Sequence, residues 1–237
     1  AAARDALERA TEYGRRHPSH YPYTLHFVAT AHAVLGDWAE ARRLFTLSLE
    51  PRPGAYPLSI VTDGVYFHSR FLLTIGELEM AEAIVGPAYC QARDKGAVVH
   101  ELNLIPVLAE LALRAGRSNE AAARLERARE ILARPQEWRG FEAAVQRAEG
   151  LLATTQRDWP RAERCFAQTL ETERRYGFPY HEAQVLLDQA ELCLERSESG
   201  DRERGLEKLD QALAIFQRCE AKRDVERVDA LRARLGG

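Results

Sequence analysis

No run of about 18 apolar residues occurs anywhere in this 237-residue chain, so none of it is written as a transmembrane helix. The first residues lack the basic stretch and apolar core that a secretory signal would carry. Positive charge is not in excess: 33 Lys and Arg stand against 36 Asp and Glu, for a net charge of −3. A duplex binder would show a basic stripe, so no direct nucleic-acid partner is expected, and no membrane partner. The four cysteines, Cys90, Cys165, Cys193 and Cys219, share no short spacing. That excludes a disulfide framework and points to reduced thiols in a cytoplasmic protein. No alternating stretch of useful length is present, so no sheet is predicted. A Walker loop, GxGxxG, HExxH, GxSxG and CxxC are all missing, so no catalytic residue, cofactor or metal ligand is assigned and the chain is expected not to be an enzyme. His17 and His20 flank Pro18 and Ser19 in a loop with no third ligand nearby.

What is present is a repeat with a period near 40. Gly36-Asp-Trp-Ala-Glu-Ala41 matches Gly76-Glu-Leu-Glu-Met-Ala81, Gly116-Arg-Ser-Asn-Glu-Ala121 and Arg157-Asp-Trp-Pro-Arg-Ala162. A looser copy places Gly205 at the alanine, after an extension around Ser197–Gly200, and a partial one places Ala3 there. Four residues on stands a large apolar side chain (Leu7, Phe45, Val85, Leu125, Phe166, Leu209), and three further a small one (Ala10, Ser48, Ala88, Ala128, Thr169, Ala212). Spacings of four and three share one helical face. Upstream lies another small residue in each copy, Ala29, Ser69, Ala109, Gly150 and Ala190, which lets two helices approach closely.

Each unit is therefore helix A, a tight turn and helix B. Gly36, Gly76 and Gly116 suit a left-handed helix end. Asp37 and Asp158 suit the cap of the next helix, with Asp37 and Glu40 resembling a capping box and Pro160 lying in a first turn. Helices B are predicted near 1–15, 38–49, 78–93, 119–133, 160–176 and 203–219. Helices A are predicted near 22–35, 58–75, 99–115, 140–156 and 181–196, with a last helix at 222–235 capping the stack. The fold class is all-α, a right-handed superhelix (α-solenoid) forming one domain over 1–237. It comprises a partial repeat 1–20, repeats at about 21–56, 57–97, 98–137, 138–179 and 180–220, and a C-terminal segment 221–237. Pro106 falls inside a helix A, where a kink or a late start is expected.

The order of small residue, glycine turn, alanine, large apolar and small residue resembles the tetratricopeptide repeat over nearly the whole chain. It departs from the 34-residue form in length, in lacking most helix A aromatics, and in matching the closing proline only at Pro53. The longer variant resembles the repeat arms of bacterial ATPase-containing adenylate/guanylate cyclases and of LuxR-type (MalT-like) regulators. The tail Ala212-Leu-Ala-Ile-Phe-Gln-Arg-Cys-Glu-Ala-Lys-Arg-Asp-Val-Glu-Arg-Val is most similar to the ends of the cyclase group. The resemblance implies a bacterial signalling protein's regulatory arm, which binds a protein partner or an inducer and restrains an ATPase or output domain. Because Ala3, Leu7 and Ala10 form a helix B without a helix A before it, a fragment of a longer polypeptide is expected.

Helix A lines the inside of such superhelices. The positions that resemblance turns inward are Tyr23, His26, Thr30, Asp63, Tyr66, Arg70, Asn103, Glu110, Arg114 and Arg147. Aromatic, cationic and hydrogen-bonding groups together suit a protein or peptide partner, domains of the same polypeptide, or a small anionic ligand held by Arg70. An inducer-sensing domain is the alternative use of the same groove. Trp38 and Trp159, at equivalent turns, are expected to pack between hairpins. The charged runs Arg124–Glu130 and Asp201–Lys208 are expected to be solvated faces.

Overall fold

The computed structural model describes the backbone of residues 2–17, 21–49, 58–135, 138 and 140–236, and the side chains of these except 2–4, 6, 21–23, 58–60 and 235–236. Among the described residues the chain is all-α, with twelve helices and no strand. They are α1 (Ala2–Arg16), α2 (Tyr21–Leu35), α3 (Trp38–Leu49), α4 (Leu58–Ile75), α5 (Leu78–Asp94), α6 (Val98–Arg114), α7 (Ser118–Leu132), α8 (Phe141–Thr155), α9 (Trp159–Tyr176), α10 (Pro179–Arg196), α11 (Asp201–Cys219) and α12 (Lys222–Gly236). No helix among these residues is long and apolar enough to cross a membrane.

Where the sequence pattern drew one array, contacts gather the helices into two compact units, Ala1–Leu111 and Ala112–Gly237, divided within α6. In the first unit, α2 packs on α1 and α3, α4 packs on α5, and α2 packs on α4. In the second, each helix from α7 to α12 packs on the next, and α10 also touches α8 and α12. The last helix thus stands beside α10 as a further helix A would.

The repeat positions form the contacts between paired helices. Ala41, Ala81, Ala121 and Ala162 are fully buried, as are Val85, Leu125, Phe166 and Leu209. Gly150 shows why the upstream position is small: a Cβ there would lie 2.6 Å from Phe166 Cε1. The first copy is looser, with Leu7 and Ala10 half-buried, and Ala3 lies outside the described side chains.

The turns follow one hydrogen-bonding scheme. The N–H groups of Asp37, Glu77, Arg117 and Asp158 donate to the carbonyls of His32, Leu72, Ala112 and Ala153, at 2.9, 2.9, 2.7 and 2.9 Å. This is the six-to-one bond of a Schellman end, which needs a left-handed residue just before the donor. Glycine fills that place three times, and in the fourth copy Arg157 adopts it at φ 59°. Asp158 Oδ1 accepts from the Arg161 N–H at 3.2 Å and Asp37 Oδ1 from the Glu40 N–H at 3.4 Å, so both cap as expected. The reciprocal half of the capping box is not made. Glu40 turns to Arg43 at 2.6 and 2.7 Å, while the Asp37 N–H is already committed to His32. Nor does Pro106 delay its helix, since α6 runs through it from Val98.

Two polar groups are buried within the units. The buried His68 ring stacks on Phe45 at 5.1 Å and 6°. Neither of its ring nitrogens has a hydrogen-bond partner among the described residues. Burial holds its pKa down at about 4. Asp201 corrects the solvated-face expectation: it is only 1% exposed. Its carboxylate accepts from Arg196 Nε and Nη2 at 2.9 and 2.7 Å, from Arg204 Nη2 at 2.7 Å and from the Glu198 N–H at 2.8 Å. The extension at 197–200 is closed over this anion.

Candidate functional site

The predicted inward positions divide between the two units. In the first, α4 offers Asp63, Tyr66 and Arg70, spaced three and four apart and so on one face. Phe67 lies between Tyr66 and Arg70 on the same side. Phe27 occupies the same repeat position as Phe67, 40 residues earlier on α2. The Phe27 and Phe67 rings stand 5.5 Å apart, and Tyr66 meets Phe67 edge-on at 5.2 Å and 72°. Phe27 remains 40% exposed, whereas large apolar side chains at the repeat's core positions are nearly all buried.

The charges around this aromatic row are unequal in their commitments. Arg70 Nη1 donates to Glu110 Oε2 of α6 at 2.6 Å, and Glu110 is only 5% exposed. Asp63 is half-buried and makes no hydrogen bond or ion pair among the described residues. Burial pushes its carboxyl up from the usual range, opposed by His100. His100 is itself held by Thr62, with Oγ1 2.9 Å from Nδ1.

His26 does not face outward. It is fully buried, and its ring fills the space left by Gly64, where a Cβ would lie 2.3 Å from Cε1. A glycine on α4 therefore admits an imidazole from α2, which corrects its place among the ligand-facing groups. Thr30 is half-buried and donates to its own helix at the His26 carbonyl, at 2.7 Å. Asn103 is half-buried on α6. The Tyr23 side chain lies outside the described residues, as does His20.

Arg114 and Arg147 belong to the second unit, and Arg114 is exposed at the end of α6. Arg147 is clamped by Asp188, Nε to Oδ2 at 2.6 Å and Nη2 to Oδ1 at 3.0 Å, with the side chains 14% and 2% exposed. Complete burial raises the Asp188 carboxyl, against the pull of the Arg147 guanidinium. On α10 and α12, Tyr180 Oη and Gln184 Nε2 donate to Asp224 at 3.1 and 2.8 Å, and Arg227 Nη2 donates to Glu191 at 2.7 Å. Arg70 and Arg147 are thus joints between neighbouring helices A before they are ligand groups. Trp38 and Trp159 are half-buried at the starts of α3 and α9.

Sequence reasoning missed Phe27 and Phe67, although an aromatic standing twice at one repeat position was a usable signal. It also missed Asp188, an acid 41 residues after a base and so one period on.

No family model and no curated protein matches the chain. The crystal structure of BtubC (BKLC) from P. vanneervenii is similar in fold, with a TM-score of 0.55 at 17% sequence identity, covering 100% of this chain and 91% of that one.

Proposed function

We propose that this chain is a non-catalytic interaction module of tetratricopeptide-like hairpins, the regulatory arm of a larger bacterial signalling protein. Its partner is a protein segment that docks on the α2–α4 face of the first unit. The observation that carries this is the Phe27–Phe67–Tyr66 row. Three aromatic rings from consecutive helices A stay in contact with solvent, although burying one such side chain is worth about 1.5–3 kcal/mol. Exposed aromatic clusters rimmed by polar groups are where interfaces concentrate their energy.

Selection of a random phage-displayed peptide library on the full chain tests this. Peptides that bind should weaken at least tenfold with Phe27→Ala and with Tyr66→Ala, and bind unchanged to Ala123→Arg on the exposed side of α7. Binders indifferent to both aromatic variants would remove the face from consideration.

A further inference from the structure

We propose that the α2–α4 face selects a cationic side chain, so that the docking segment presents an arginine or lysine to Asp63 and the aromatic row; this rests on the docking face proposed above. An anion was the natural expectation while Arg70 was counted as free. The structure commits Arg70 to Glu110 at 2.6 Å, and Glu110 is nearly buried. An incoming carboxylate would have to displace that partner and break a nearly buried ion pair, a loss of several kcal/mol.

Charge on this face then sums in the other direction. Arg70 cancels Glu110, and Asp63 is left with no cation but the His100 imidazole acting on it among the described residues. Its carboxylate is half-buried, in surroundings that disfavour an isolated negative charge. A bound cation would restore what burial removes. Tyr66 and Phe67 follow Asp63 by three and four residues, which places their Cβ atoms about 5–6 Å from its own. The electron-rich faces of such rings attract ammonium and guanidinium groups, and a carboxylate at their edge adds a directed hydrogen bond. Phe27 extends the platform onto α2, so a segment crossing both helices can lay its apolar atoms there while its charged end reaches Asp63.

The experiment titrates the full chain with three capped probes and follows backbone amide NMR shifts. The probes are acetyl-Gly-Arg-Gly-amide, its neutral citrulline analogue and acetyl-Gly-Glu-Gly-amide. The arginine peptide should shift amides around Phe27 and residues 63–67 saturably, at least fivefold tighter than the citrulline peptide. Asp63→Asn, with an unchanged thermal melt, should reduce that preference below twofold. If the glutamate peptide binds the same amides as tightly as the arginine peptide, the face stands and the cationic selectivity is overturned. If Asp63→Asn leaves the preference intact, Asp63 is not its source and the proposal fails. If none of the three shifts these amides, both the selectivity and the docking face on which it rests are overturned.

Discussion

Replacing Asp201 by asparagine should cost the second unit about 2–3 kcal/mol at pH 7, and the penalty should shrink as the pH falls. The carboxylate accepts two bonds from Arg196, one from Arg204 and one from the Glu198 backbone, while the Arg196 side chain is itself only 8% exposed. These partners, Arg196 foremost and against the effect of burial, bring its pKa from 3.8 down to about 2. A carboxylate depressed in the folded state stabilises fully above its unfolded pKa and loses that contribution as pH falls toward the folded one. A gap of nearly two units is worth about 2.4 kcal/mol at pH 7, falling to about 1.3 kcal/mol at pH 3. The amide of the Asp201→Asn variant keeps the shape but loses the charge, and Arg196 retains only the exposed carboxylates of Glu163, 2.8 Å from Nη1, and Glu198, 3.7 Å from Nε. Urea unfolding in a Trp38→Phe background reads this directly, because Trp138 and Trp159 then report the second unit. A difference from the parent below about 0.5 kcal/mol at pH 7, or one that stays constant down to pH 3, would refute the reasoning.

Three further outcomes follow from the same geometry. Gly150→Ala forces a Cβ to within 2.6 Å of Phe166, so it should destabilise by about 1–3 kcal/mol in urea, and Phe166→Leu should relieve part of that loss. Arg157→Gly should raise stability by about 1 kcal/mol in the same assay, because glycine takes the left-handed turn at φ 59° without the Cβ clash. His68, neutral when folded with a pKa of about 4, binds its proton more readily when unfolded. The first unit should therefore lose about 2 kcal/mol between pH 7 and pH 5 on this account, and His68→Leu should flatten that slope in urea titrations followed by Trp38 fluorescence.

The helices were legible because the repeat writes the same face many times. Ala41, Ala81, Ala121 and Ala162 fix the register, and the observed ends fall within about two residues of those predicted. The left-handed Arg157 was not foreseen, since sequence cannot show that six-to-one bonding outweighs its strain. The candidate site was less legible, for a physical reason. A residue's position on helix A says which neighbour it approaches but not whether that neighbour neutralises it. Arg70 and Arg147 looked like binding groups until Glu110 and Asp188, each about one period away, were seen to hold them. His26 was lost to the interior by a glycine 38 residues downstream, a complementarity visible only in three dimensions.

The joints between hairpins also carry a consequence for the order of the hairpins. Between α8 and α10 the base precedes the acid, Arg147 before Asp188. Between α10 and α12 the acid precedes the base, Glu191 before Arg227, beside a neutral clamp of Tyr180 and Gln184 on Asp224. A tandem copy of the α10–α11 hairpin would set its Asp188 against α10 instead of α8, depriving that buried acid of the two-bond clamp from Arg147. Although the apolar repeat gives every hairpin the same buried face, the polar joints differ from one hairpin to the next. Repeats of this chain are bricks of one mould with different keys, and a misordered or swapped assembly should be penalised at the joint rather than in the core.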